Sequence, residues 1–123
     1  MKAYTTLGDG IEALQEIDLP IPEPKAGQIL VRMKAASLNY RDLLVINGVG
    51  GWKPPLARIP ISDGAGEVVA LGAGVSGWQI GEQAAGIFLP KWLDGELTAE
   101  KYQLPLGGAA ADGVLAEYVV FDE

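Results

Sequence analysis

The residues able to do chemistry fall in two short runs, Asn39-Tyr40-Arg41-Asp42 and Ser62-Asp63. Their types are as informative as their absences, because the chain contains no His and no Cys. Catalytic zinc ordinarily takes three protein ligands from His, Cys and acidic side chains, with water in the fourth position. Carboxylates alone, here Asp42 and Asp63, are a poor set for it. Without cysteine there is also no disulfide, no thiolate nucleophile and no iron–sulfur ligation. Locally, Asn39 heads a helix as its N-cap, with Asp42 in the first turn where the helix dipole favours a negative charge. Tyr40 suits the edge of a core, and Arg41 suits a solvated helix face. Ser62 and Asp63 are residue types that bond local backbone at turns and strand ends.

Several elements must position these runs. Residues 1–6 and 13–17 flank the turn signal Gly8-Asp9-Gly10 and read as a hairpin. Alternating Pro20, Pro22 and Pro24 exclude a central strand and leave an extended surface segment. Residues 28–37 (QILVRMKAAS) alternate as a half-buried strand. A short helix over 40–46 follows, stopped by Asn47-Gly48. Residues 49–60 form a Gly- and Pro-rich loop carrying Trp52, a candidate cleft wall. Residues 67–71, 84–89 and 114–121 read as further strands, and a second short helix is expected over 98–103. Gly64, Gly66, Gly72 and Gly74 suggest tight corners. Many short strands with frequent Gly and Pro describe a mainly β fold, a small barrel with one or two short helices.

Composition sets the outer limits. At 123 residues the chain fits one domain, 1–123, with its own core. A hydrophobic share of 49% against 20% charged marks it as globular. The net charge of −7 and nine scattered basic residues argue against a nucleic-acid partner. No stretch has membrane-spanning length and the first residues lack a signal-peptide core, so the expected location is cytoplasmic, with no membrane partner.

Four segments in order carry a family resemblance: MKAY, PIPEPKAGQILVRMKAASLNYRDLL, IPISDGAGEVVALGAGV and GVLAEYVV. Together they resemble the GroES-like catalytic half of medium-chain dehydrogenases and reductases. LNYRDLL with SDGAGEVV is similar to the zinc-independent branch of quinone oxidoreductases and enoyl reductases. In zinc-dependent relatives a cysteine ligand falls at Asn39, a histidine ligand at Ser62 with a glutamate at Asp63, and a hydroxyl residue at Arg41. A four-cysteine lobe falls where this chain has PKWLDGELTAEKYQLPLGG.

The resemblance implies reduction of a quinone, enone or enoyl group by hydride from NADPH, without zinc. It assigns hydrogen bonding to Asn39, proton donation to Tyr40 and charge stabilisation to Arg41. Asp42, Trp52, Ser62 and Asp63 line or order the substrate pocket. Family members continue into a Rossmann domain, and no G-x-G-x-x-G after a strand and before a helix occurs in this chain. The chain alone is therefore expected to bind no cofactor and to be catalytically incomplete. The missing nucleotide-binding domain, or a second copy in a homo-oligomeric dimer, is expected to cover its apolar faces. The alternative is a stand-alone, non-enzymatic binding or assembly module that keeps the pocket for a small-molecule ligand.

Overall fold

The computed structural model describes residues 1–123 and is mainly β with a single α-helix. Strands β1 (Lys2–Thr5) and β2 (Gln15–Asp18) pair antiparallel, closing the hairpin expected around Gly8-Asp9-Gly10. The second sheet holds β3 (Gln28–Ser37), β4 (Asp63–Leu71), β5 (Gln83–Ala85) and β6 (Tyr118–Asp122), in the order β5-β4-β3-β6. All its pairings are antiparallel. Isolated bridges Ala3↔Ala116 and Thr6↔Arg58 tie the hairpin to the rest of the body.

The core is centred on β3, where Ile29, Leu30 and Val31 are buried in succession rather than in the expected alternation. Ile29 and Val31 are buried with Val68 of β4 and Ala84 of β5. Met33, Leu71, Val75, Trp78 and Phe121 pack around them. Each large aliphatic side chain taken out of water contributes roughly 1.5–3 kcal/mol, so this cluster anchors the sheet. Irregularities between Leu30 and Val31 and between Met33 and Ala35 break the β3–β4 register. Such bulges bend a strand and strengthen its twist, which curls the sheet toward a barrel.

Four expectations need correction. β4 begins at Asp63 rather than residue 67, so Gly64 and Gly66 lie inside a strand and not at a corner. A Cβ on Gly66 would stand 2.2 Å from the Arg32 carbonyl oxygen, so close strand approach is what requires glycine there. The strand expected over 84–89 ends at Ala85, and that over 114–121 begins only at Tyr118. No helix forms over 98–103. The Tyr102 N–H reaches the Thr98 carbonyl at 3.0 Å, but the turn does not propagate. A single isolated turn pays helix nucleation without propagation.

Helix α1 (Tyr40–Ile46) matches its expected bounds. Asn39 is extended at the N-cap, and the Asp42 carboxylate accepts the Asn39 backbone N–H at 2.8 Å. At the other end Gly48 takes a left-handed φ of 64°. The Gly48 N–H reaches the Val45 carbonyl and the Val49 N–H reaches the Leu44 carbonyl, forming a Schellman close. Asp42, Val45 and Ile46 face the body and are buried.

Candidate functional site

The site is built where β3 hands over to α1. Ser37, the last residue of β3, pairs with Asp63, the first of β4. That register sets Asn39 beside Asp63 across a gap in sequence, and the Asn39 amide Nδ2 donates to Asp63 Oδ2. The same nitrogen lies 3.4 Å from the Ser37 carbonyl oxygen. Both neighbours are acceptors, which fixes the orientation of the amide on chemical grounds. The buried Ser62 hydroxyl donates to the same Asp63 oxygen at 3.2 Å. Asn39, Ser62 and Asp63 thus form one network with a shared acceptor.

Arg41 is placed differently. Its guanidinium donates to the carbonyls of Gly107 at 3.2 Å and Leu106 at 3.0 Å, and pairs with Asp42 at 3.3 Å. Its Cζ lies 5.4 Å from the Trp52 ring centre and 4.8 Å from that of Phe88. Weakly hydrated and planar, a guanidinium stacks on aromatic faces at low cost. Arg41 and Trp52 therefore fasten the 106–107 segment to the helix, and the Arg41 side chain is only 16% exposed. Asp42 is buried, bonded to Arg41 and to the Asn39 N–H. Tyr40 points the other way, with 77% of its surface exposed. The structure brings together Asn39, Ser62 and Asp63, and separately Arg41, Asp42 and Trp52.

Residues that sequence reading did not single out hold both groups in place. Ile61, directly before Ser62, has a φ of 74° although it is β-branched and buried. Such a backbone costs of order 1–3 kcal/mol and survives only where its surroundings dictate it. Gly107 and Gly113 supply those surroundings. A Cβ on Gly113 would meet the Ile61 carbonyl oxygen at 2.1 Å, and one on Gly107 would meet its carbonyl carbon at 2.6 Å. The Val114 N–H then reaches the Ile61 carbonyl at 2.8 Å. The glycine-rich run 107–113 was the only sequence signal of this close packing.

Beside the Asn39–Ser62–Asp63 network lies an open trough of about 290 Å³. It is lined by Asp63, Ala35, Ala36, Gly64, Ala65 and Gly86, among others. No group of three or more acidic side chains is arranged to hold a metal ion. No helix is long and apolar enough to cross a membrane.

The chain matches the alcohol dehydrogenase GroES-like domain over residues 25–123. It belongs to that family, the GroES-like portion of the medium-chain dehydrogenases and reductases. A zinc-type alcohol dehydrogenase-like protein of Schizosaccharomyces pombe is 36% identical over 112 residues, covering 90% of this chain and 32% of the relative. A chloroplastic quinone-oxidoreductase homolog of Spinacia oleracea is 31% identical over 124 residues, covering 98% and 31%. Among solved structures, an NAD-dependent alcohol dehydrogenase aligns with a TM-score of 0.80 at 36% identity, over 100% of this chain and 38% of its own. The quinone oxidoreductase from Coxiella burnetii aligns at 0.73 and 29%, over 99% and 34%. The chain spans about a third of the length of these relatives.

Proposed function

We propose that this chain is the substrate-side domain of a zinc-independent oxidoreductase that reduces a quinone, enone or enoyl group with hydride from NAD(P)H. The supporting observation is the meeting of Asn39 and Ser62 on one oxygen of Asp63. By the family resemblance, zinc enzymes keep a cysteine and a histidine at the Asn39 and Ser62 positions. An amide and a hydroxyl are weak zinc donors, and Asp63 is already engaged by both. Asp42, the other nearby carboxylate, is buried against Arg41 and the Asn39 N–H. This donor set does not fit zinc, and no step is assigned to a metal.

A dinucleotide pyrophosphate does not fit this chain either. The α-helix is seven residues long and opens after Leu38-Asn39, not after a glycine-rich turn. When held by a nucleotide-binding domain, the nicotinamide supplies the hydride. What this chain supplies is placement. Asp63 and Ser37 fix the Asn39 amide, and Ser62 braces Asp63 from the buried side. Exposed at the head of α1, Tyr40 carries the hydroxyl suited to hand a proton to the reduced acceptor. Arg41 with Trp52 and Asp42 holds the 106–107 segment that walls the same end of the domain. Exposed Leu38, Ile80 and Leu93 suit burial against that nucleotide-binding domain or a second copy in a dimer.

Nicotinamide oxidation with a panel of quinones and enones, by protein expressed from its native reading frame, tests this reading. Asn39→Ala and Tyr40→Phe should each lower kcat by roughly 10²-fold with the fold intact. Absence of turnover with every acceptor would contradict the reading.

A further inference from the structure

One guanidinium is joined, by two separate routes, to both partners of the Asn39–Asp63 bond. On the first route Arg41 donates to Asp42 Oδ1 at 3.3 Å, and Asp42 Oδ2 accepts the Asn39 backbone N–H at 2.8 Å. That fixes the backbone from which the Asn39 amide projects. On the second route Arg41 donates to the carbonyls of Leu106 at 3.0 Å and Gly107 at 3.2 Å. Gly107 is buried, and a Cβ there would stand 2.6 Å from the Ile61 carbonyl carbon and 2.9 Å from its nitrogen. The Gly107 backbone therefore lies directly against Ile61, which leads into Ser62 and so to the Asp63 carboxylate.

Ile61 needs support on both faces, because its φ of 74° is a conformation that a β-branched residue leaves when unconstrained. On one face the support is hydrogen-bonded. The Gly113 N–H reaches the Ile59 carbonyl at 2.7 Å, and the Val114 N–H reaches that of Ile61 at 2.8 Å. Asp112 also accepts the Ile59 N–H at 3.0 Å. The other face has no such tie. Gly107 makes no hydrogen bond to Ile61, and its carbonyl is taken by Arg41. Trp52 and Phe88 flank the guanidinium, and the Leu106 N–H reaches the Phe88 carbonyl at 3.0 Å. Arg41 is thus the side chain that keeps Gly107 against Ile61.

We infer that Arg41 is a positioning residue for the Asn39–Asp63 pair. It holds the Asn39 backbone through Asp42 and the Ile61–Ser62–Asp63 segment through Gly107, while lying outside the pair itself. Resting on the reading above, in which the placed Asn39 amide serves the reaction, this role names the remote side chain that places it. Losing the second route lets Ile61 relax from its left-handed backbone, which moves Ser62 and Asp63 away from the Asn39 amide.

Amide hydrogen exchange and NMR on the protein expressed from its native reading frame separate the two routes. Arg41→Lys keeps a cation beside Asp42 but cannot span both carbonyls and stack. In that variant the Asn39 backbone amide should exchange as in the unsubstituted protein. The Val114 amide, bonded to Ile61, should exchange about fivefold faster, the worth of one net hydrogen bond. The strong intraresidue HN–Hα NOE that a positive φ gives Ile61 should weaken, and the Asn39 side-chain NH₂ resonances should shift with it. In Arg41→Met, which removes both routes, the Asn39 backbone amide should also exchange about fivefold faster. Val68→Ala, a core truncation remote from both routes, controls for lost stability and should leave the Ile61 NOE and the Asn39 NH₂ resonances in place. Unchanged Ile61, Val114 and Asn39 NH₂ signals in Arg41→Lys would overturn this role, as would the same changes in Val68→Ala. None of these readouts needs turnover, so the oxidoreductase reading can fail while the role of Arg41 stands.

Discussion

At the scale of single residues, Arg41 is tied into the fold by backbone, carboxylate and aromatic partners together. On a helix surface an arginine is solvated, and by family resemblance this one would stabilise negative charge. Here its donors are taken up by two backbone carbonyls and Asp42, and its plane stands over Trp52 and Phe88. Truncating it would strand two carbonyls and leave the buried Asp42 without its cation. Arg41→Met should therefore cost about 3 kcal/mol in urea denaturation. Arg41→Lys should recover less than half of that, because an ammonium cannot span both carbonyls and stack. Full recovery by lysine would show that only the charge matters.

Elements differ in how far the sequence disclosed them. Helix α1 was legible from end to end, because its cap at Asn39, its Asp42 and its stop at Gly48 are local signals met by local bonds. The first half of β4 was not. Glycine weakens strand propensity, so Gly64 and Gly66 read as corners, whereas approach of the Arg32 backbone demands a glycine within the strand. The segment from Gly86 to Glu117 is held by single bonds between distant residues, such as Arg41 to Leu106 and Val114 to Ile61, and leaves little periodic trace.

The β1–β2 hairpin is also where pH should act. The Glu16 carboxyl is held below its ordinary value of 4.5, first by the Lys2 hydrogen bond and then by that from Tyr4. The Lys2 ammonium is raised above 10.5 by the same bond and by the Glu16 charge. Glu16 thus contributes stability present above pH 4.5 and lost as pH falls through its lower folded value. Lys2 contributes stability present below pH 10.5 and lost as pH rises through its higher folded value. Both side chains lie at the surface, so the contribution is small and screened. Glu16→Gln should flatten both limbs of a thermal pH profile, and about 1 M salt should do the same to the unsubstituted chain. A salt-independent difference between the two would contradict this account.

The whole molecule supplies what no local signal could: the nearness of Asn39 and Asp63. It depends on the β3–β4 register that pairs Ser37 with Asp63, and on the bulge after Met33 that shifts that register by one residue. It depends further on the strained Ile61, held by Gly107 and Gly113, which delivers Ser62 and Asp63 at the right point of the chain. Both residue types were visible in sequence as candidates, but their shared hydrogen bond was not. The family includes zinc-type and quinone-reducing relatives alike, so likeness does not decide the metal question, and the proposed zinc independence rests on the donor set. The most direct measurement is nicotinamide turnover on quinones and enones by the natively expressed protein before and after exhaustive chelation, with bound zinc quantified alongside. Turnover should be unchanged by chelation, with no stoichiometric zinc at the Asn39–Ser62–Asp63 cluster, and should fall by roughly 10²-fold in Asn39→Ala. Turnover that disappears with the chelator and returns only with zinc would contradict it.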